Sequence, residues 1–243
     1  MKAGRTFFVA DLHLTDERPV ATGRFFRFLD EAAAGADALY LLGDLFEAWI
    51  GDDHDEQVAR DTAVRLKALT AAGTPVFFMH GNRDFMLAER YAAQSGMTLL
   101  ADPTRIDLYG TPTLLMHGDT LCTDDTAYQA FRRRVRHPLA RALLRRLPFA
   151  WRRRLARQAR AGSESAKAGK PAEIMDVNAA EVVRVLRQHK VCRLIHGHTH
   201  RPAQHAHAVD GQDCERWVLP DWYARWGYVV CDADGCALRV ESL

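Results

Sequence analysis

Five short segments, ADLHL, LLGDLFEAW, MHGNRDF, LMHGDT and IHGHTHRP, place aspartate, asparagine or histidine directly behind a run of apolar residues. They contribute seven side chains with oxygen or nitrogen donors: Asp11, His13, Asp44, Asn82, His117, His198 and His200. Mixed imidazole and oxygen donors suit divalent ions such as Mn²⁺, Fe²⁺ or Zn²⁺. Seven donors exceed what one ion with an open position requires. Two ions sharing a carboxylate would use them all, with Asp44 as the bridge. Ions about 3.5–4 Å apart can acidify a bound water and clamp the attacking and leaving oxygens of an in-line displacement. Taken singly the motifs mean little. DxH arises by chance, Asp44 could be a turn residue, and Asn82-Arg83-Asp84 could simply cap a helix beginning at Phe85. Their shared placement and their number carry the reading.

The elements that must position these donors follow from the spacing of apolar residues. Short β-branched and aromatic runs predict strands at residues 6–10, 38–42, 75–79, 113–116 and 193–195. Helical period predicts helices over 20–34, 55–72, 85–95 and 172–189. Residues 105–116 read as a hairpin about Gly110, and Asp210-Gly211 and Asp234-Gly235 as turns of a closing meander. Early βαβ units followed by late strands imply an α/β fold with two sheets packed face to face and helices outside. Each donor segment then sits at the carboxyl end of a strand, the edge at which such sheets gather ligands. In an extended segment residues i and i+2 share a side, so Asp11 with His13, and His198 with His200, are expected to present two donors together.

The 243 residues are 48% hydrophobic and 26% charged, an ordinary globular balance. The opening MKAGRTFFVADLH has only Phe7 to Ala10 as an apolar run, too short for a signal-peptide core, and no uncharged run is long enough to span a bilayer. Cys122, Cys192, Cys214, Cys231 and Cys236 are odd in number and form no CxxC, so neither disulfides nor a thiolate metal site is expected, and a reduced compartment is. The formal charge is +2, yet residues 132–160 hold twelve arginines and no acid; subtracting twelve leaves −10 for the rest. Such local basicity points to a specific anionic partner. Residues 124–169, broken by Pro138 and Pro148 and ending in Gly/Ser/Ala/Lys, read as a helical insertion between core segments 1–123 and 170–243. Its arginines alternate with Val135, Leu139, Leu143, Leu144, Leu147, Phe149, Trp151 and Leu155, so its helices would carry an apolar face beside a cationic one. That composition favours an anionic membrane surface over nucleic acid, which would need few aliphatic residues. His205 and His207 read as strand-face residues, and Trp222, Tyr223 and Trp226 as core or rim packing.

The ordered set DxH, GDxxE, GNRD, HGD and GHTHxP, from Asp11 to Pro202, resembles the calcineurin-like metallophosphoesterases. The longer forms GDLFEAWIGDD, HGNRDFML, EIMDVN and LPDWY are similar to the branch of that family that acts on UDP-2,3-diacylglucosamine in lipid A biosynthesis. The resemblance implies a calcineurin-like sandwich, two Mn²⁺ ions, and hydrolysis of that diphosphate to UMP and 2,3-diacylglucosamine 1-phosphate by a metal-bound hydroxide. It implies a monomeric, peripheral enzyme on the cytoplasmic face of the inner membrane. It assigns Asp11, His13, Asp44 and His200 to one ion and Asp44, Asn82, His117 and His198 to the other. Asn82, Arg83, Asp125, Ser163, Lys167, Lys170 and His198 would touch substrate.

Arg83 speaks to substrate class from its own chemistry. Many relatives carry histidine after the GN pair, where it can protonate a departing alkoxide. Arginine keeps its proton, and a phosphate leaving group, whose second pKa is about 6, needs charge stabilisation more than a proton. Two rival readings remain open on sequence alone. One is another phosphoesterase of this fold, a nuclease or dinucleotide polyphosphate hydrolase; the other is a non-catalytic binding module recruited by its basic arm.

Overall fold

The computed structural model describes residues 4–168 and 176–242, with side chains as far as Gly162 in the first stretch. The chain opens with β1 (Thr6–Val9), α1 (Pro19–Glu31), β2 (Ala38–Leu41), α2 (Gln57–Ala71), β3 (Val76–Met79), α3 (Glu89–Ser95) and β4 (Thr98–Leu100). Helical crossovers make β1 to β4 parallel. A hairpin, β5 (Thr104–Leu108) and β6 (Thr111–Met116), begins the second sheet. Next come α4 (Thr126–Val135), α5 (Pro138–Arg146), α6 (Phe149–Ala168) and α7 (Ala179–His189). The chain closes with β7 (Arg193–His196), β8 (Ala203–Val209), β9 (Gln212–Val218), β10 (Arg225–Asp232) and β11 (Gly235–Ser242). The six-stranded sheet has the order β11-β10-β1-β2-β3-β4 and the five-stranded sheet β5-β6-β7-β9-β8. This is the two-sheet α/β sandwich expected from the strand and helix pattern.

Alternation along the strands divides the interior. Phe7, Val9, Leu39, Leu41, Val76 and Phe78 pack with α1 and α2 on the outer side of the first sheet. Phe8, Ala10, Leu42 and Met79 pack against Leu115, Ile195 and Trp217 between the sheets. Leu114, Met116 and Leu194 turn outward onto Val182, Val185 and Leu186 of α7. Strands buried on both faces read as unbroken apolar runs, which is why TFFV and VFFM stand out in the sequence. In α1 the buried Ala21, Phe25, Phe28 and Leu29 form one stripe. Burying a phenylalanine or leucine stabilises by about 1.5–3 kcal/mol, so this helix is held by its face despite Thr22 and Gly23.

Several expectations need correction. The helix expected from Phe85 starts at Glu89, because Asp84 is used elsewhere and the start is capped by Asp52, whose carboxylate accepts from Ala88 N (2.9 Å) and Tyr91 N (3.0 Å). The helix expected from Ala172 starts at Ala179, where Asn178 Oδ1 accepts from Ala180 N and Glu181 N; residues 169–175 lie outside the described residues. The sequence GSESAKA, read as part of a polar stretch, continues the α6 backbone. Strand β4 was not expected; its three residues are too short to show a period. The structure also joins Cys192 to Cys214 and Cys231 to Cys236, which the scattered spacing did not suggest. Cys231 and Cys236 face each other across the β10–β11 hairpin, while Cys192 reaches Cys214 through the neighbouring β7 and β9.

In the arginine-rich segment Pro138 takes the first turn of α5, and Asp125 caps α4 by accepting from Tyr128 N (3.0 Å). Leu144 packs on the main core. Not all of the arginines face outward. Arg132 and Arg136 reach the buried Asp119, Arg152 reaches Ile50 O and Asp53, and Arg160 pairs with Glu47. Phe131, Leu139, Leu143, Trp151 and Leu155 are exposed.

Candidate metal centre

Five loops leave the carboxyl ends of β1, β2, β3, β6 and β7 and bring all seven expected donors to one edge of the sandwich. Backbone hydrogen bonds fasten the loops to one another. Asp11 N donates to Gly43 O (3.0 Å), His13 N to Asp44 O (2.9 Å), and Gly197 N to His117 O (2.9 Å). Asp84 adds a side-chain staple, its carboxylate accepting from Leu45 N and Gly81 N, both at 2.7 Å.

The donor pairs do not sit in extended backbone, as the i, i+2 argument assumed. Asp11, His13, Asp44, His198 and His200 all have left-handed φ, between 49° and 70°. Aspartate and histidine tolerate this region better than most residues, at a cost of order 1 kcal/mol each. Two glycines permit the resulting crowding. A Cβ on Gly43, itself at φ +92°, would lie 2.5 Å from His117 Nδ1, and one on Gly81 would lie 2.1 Å from Asp44 Oδ1.

Asp11 Oδ1 lies 3.4 Å from His200 Nε2 and 4.0 Å from His13 Nε2, and Asp44 Oδ2 lies 3.8 Å from His13 Nε2. On the other side, His117 Nε2 is 3.9 Å from Asp44 Oδ1 and 3.1 Å from Asn82 Oδ1, while His198 Nδ1 is 2.9 Å from Asn82 Oδ1. Donor atoms of Asp11, His13 and His200, and again of Asp11, Asp44 and His117, lie within 4.8 Å of one another. The two groups share Asp11, while Asp44 stands between His13 and His117.

The donor set fits divalent cations. Asp11 Oδ1 and His13 Nε2 are buried without hydrogen-bond partners, a costly arrangement that a cation would relieve. Burial pushes Asp44 up to about 7; His117 opposes this, while Asp84 and Asp11 add to it. Burial and the neighbouring His117 push His198 down to about 3, and burial holds His13 well below its ordinary value, so both rings are neutral and ready to ligate. For His117 burial opposes charge, but Asp44, Asp119 and Asp11 outweigh it and raise the ring to about 9. Its Nδ1 donates to Leu42 O (2.9 Å), so the proton a cation would displace is the one on Nε2.

Arg83 stands beside the donors, its backbone N donating to Asp44 Oδ1 (2.8 Å) and its carbonyl accepting from Trp49 N (2.9 Å). Its charge helps to depress His13. Asp125, at the foot of α4, is a helix cap. Lys170 lies outside the described residues, and of Ser163 and Lys167 only helical backbone is described. His205 and His207 are on β8, where His207 Nε2 accepts from Arg216, as strand-face residues should be. Trp222 is core. Tyr223 is not mere packing: its ring lies 4.9 Å from that of His13 and 5.8 Å from that of His200, and its hydroxyl donates to Glu47 Oε2 (2.9 Å).

Sequence reasoning also passed over Asp119. It is fully buried and accepts from Tyr128 Oη (2.8 Å) and Arg132 Nε (2.7 Å). Burial opposes its charge, but Arg136, His117 and Arg132 hold it well below the usual carboxylate range. Tyr128 in turn stacks over His198 at 6.0 Å, tying α4 to the centre. The aspartate of HGD was the available signal.

Residues 4–202 match the calcineurin-like phosphoesterase family. The chain is 51% identical to UDP-2,3-diacylglucosamine hydrolase of Salmonella arizonae, over 96% of this chain and 97% of that protein. It is 49% identical to the protein of the same name from Enterobacter sp. (strain 638), with the same coverage. Among solved structures, a novel archaeal phosphodiesterase is similar at a TM-score of 0.48 and 12% identity, covering 98% of this chain and 99% of that one.

Proposed function

The chain belongs to the calcineurin-like phosphoesterase family, and from that premise we propose that it hydrolyses UDP-2,3-diacylglucosamine to UMP and 2,3-diacylglucosamine 1-phosphate. The observation that carries this reading is the convergence of seven donors from five loops in a chain aligned nearly end to end with hydrolases of that name. Asp11, His13, Asp44 and His200 would hold one divalent ion, and Asp44, Asn82, His117 and His198 the other. Mn²⁺ is the ion proposed, with Fe²⁺ and Zn²⁺ chemically compatible. When bound, such ions supply an acidified water as nucleophile and positive charge for the phosphate oxygens.

The chain's own residues do the rest. Asp44, nearly inaccessible to solvent, must give up its proton for the ions to seat, which burial resists and His117 favours. Asn82, held between His117 and His198, would offer its amide to a diphosphate oxygen. Arg83 is held by its backbone at Asp44 and Trp49, and its permanent charge suits the phosphate that leaves without needing a proton. The neutral ring of His198 can ligate and orient but carries no charge to neutralise the substrate.

The helices α4 to α6 support docking on an anionic membrane, where the lipid substrate would be met. Leu139, Leu143 and Trp151 are 75%, 64% and 65% exposed. They stand in the same helices as the exposed Arg133, Arg145, Arg146, Arg153, Arg154 and Arg157. Each basic residue near such a surface contributes about 1 kcal/mol, and the apolar side chains add their burial in the acyl boundary. On this argument we propose a peripheral position on an anionic membrane, the cytoplasmic face of the inner membrane being the location that the family resemblance implies. No helix among the described residues is long and apolar enough to cross a membrane. A nucleic-acid arm would gain nothing from exposed leucines.

The test is hydrolysis of UDP-2,3-diacylglucosamine in ¹⁸O water. Label in UMP is the expected result and assigns attack to the phosphorus next to uridine. Absence of turnover in the metal-loaded protein, or faster cleavage of an oligonucleotide, would overturn the assignment.

A further inference from the structure

Glu47 is a buried carboxylate, 8% exposed, that no step above uses. Three parts of the chain meet on it. Its Oε2 lies 3.5 Å from His13 Nδ1 and accepts from the Tyr223 hydroxyl at 2.9 Å, while Oε1 lies 3.0 Å from Arg160 of α6. The other nitrogen of the same imidazole, Nε2, faces Asp11 Oδ1 at 4.0 Å and Asp44 Oδ2 at 3.8 Å. We propose that Glu47 is a positioning residue that aims the His13 ring at the metal centre, with Tyr223 and Arg160 fixing the carboxylate.

A histidine that gives one ring nitrogen to a cation must carry its proton on the other, and a carboxylate beside that nitrogen fixes both the tautomer and the ring plane. Glu47 stands on the Nδ1 side and the aspartates on the Nε2 side, which is the arrangement this requires. A lone buried carboxylate would be costly to keep ionised; the tyrosine hydroxyl and the guanidinium offset that cost. Tyr223 is itself held from behind. The Arg18 guanidinium lies 4.2 Å from its ring centre and donates to His13 O (3.2 Å), binding the tyrosine and the histidine backbone into one unit. Arg160 comes from the arginine-rich helices, so the seating of α6 and the aim of His13 share one carboxylate.

The inference rests on the metal-centre reading above but not on the identity of the substrate, and its test uses the metal alone. Metal-stripped full-length protein is titrated with Mn²⁺ by calorimetry, alongside Glu47→Gln and Tyr223→Phe, with thermal unfolding of each metal-free variant as a check on the fold. The expected result is that Glu47→Gln weakens one ion about 10–100-fold and leaves the other within about twofold. Tyr223→Phe should weaken that ion alone by a smaller factor. High Mn²⁺ should restore turnover to both variants, since they lose affinity for the ion and no reacting group. Unchanged affinities, or equal weakening of both ions, would overturn the proposal. Should Glu47→Gln fail to fold, the Tyr223→Phe titration decides, because Tyr223 is 42% exposed and loses only a hydroxyl.

Discussion

Replacing Asp44 by asparagine should abolish turnover and, in the metal-free protein at pH 8, raise stability. Burial chiefly pushes the Asp44 carboxyl up to about 7 in the folded protein, against an ordinary value of 3.8. Above pH 7 the fold therefore holds a charge it disfavours, at a cost of about 4 kcal/mol, taking about 1.4 kcal/mol for each pKa unit. Against this stands His117, raised from 6.5 to about 9. Its proton stabilises the fold fully below pH 6.5, and that contribution is lost as pH rises through 9; at pH 8 about 1 kcal/mol of it remains. Asparagine removes the first cost, forfeits at most the second gain, and can still accept from Arg83 N. The net is about 3 kcal/mol in favour of the variant at pH 8, or about 6–12 °C in Tm for a chain of this size. Near pH 6 most of the Asp44 carboxyl is already protonated in the fold, so the advantage should be smaller than at pH 8. Chemical denaturation of chelated parent and variant at pH 6 and 8 measures this, and added Mn²⁺ should stabilise the parent far more than the variant. A variant less stable than the parent at pH 8, or a difference independent of pH, would refute the account of a buried carboxylate held for a cation.

Arg83→His should lose activity on the diphosphate at least tenfold more than on an aryl phosphodiester, because histidine can give a proton but lacks the permanent fork that clamps two phosphates; comparison of kcat/KM on the two substrates checks this, and equal losses would remove the argument. Replacing Leu139, Leu143 and Trp151 together by serine should weaken sedimentation with anionic vesicles at least tenfold while leaving Tm within a few degrees, since all three are exposed. Leu144 is left out because it packs on the core. Gly81→Ala places a Cβ 2.1 Å from Asp44 Oδ1 and 2.3 Å from its backbone nitrogen, so a loss of about 1–3 kcal/mol in denaturant unfolding and of Mn²⁺ binding in titration is expected.

The seven donors, the strands behind them and the hairpin turns were legible because they depend on local period and on residue type. Phe7 and Phe8 declare a strand buried on both faces, and the Gly110 turn declares its hairpin. What escaped depends on contacts distant in sequence. The cap of α3 comes from Asp52, 36 residues from Ala88. The role of Glu47 needs Tyr223, 176 residues away. Backbone hand was also hidden: DxH names two donors but not the left-handed conformations that aim them. The pairing of Cys192 with Cys214 likewise follows from β7 lying beside β9, a neighbourhood that β8 interrupts in sequence.

Asp11, His13, Asp44 and Asn82 belong to loops of one sheet, and His117, His198 and His200 to loops of the other. The amide of His198 already reaches Asp11 Oδ2 across 187 residues of chain. Ions seated here would act as rivets between the two layers. A rivet of that span closes a loop whose entropy, by analogy with a crosslink, is about 5 kcal/mol. No single loop offers more than two donors, so an unfolding chain cannot keep an ion by holding one segment intact. Separation of the layers would have to release the ions before the chain could open. Loading the centre should therefore slow unfolding more than it hastens folding, giving the protein a long native lifetime wherever the free metal is sufficient.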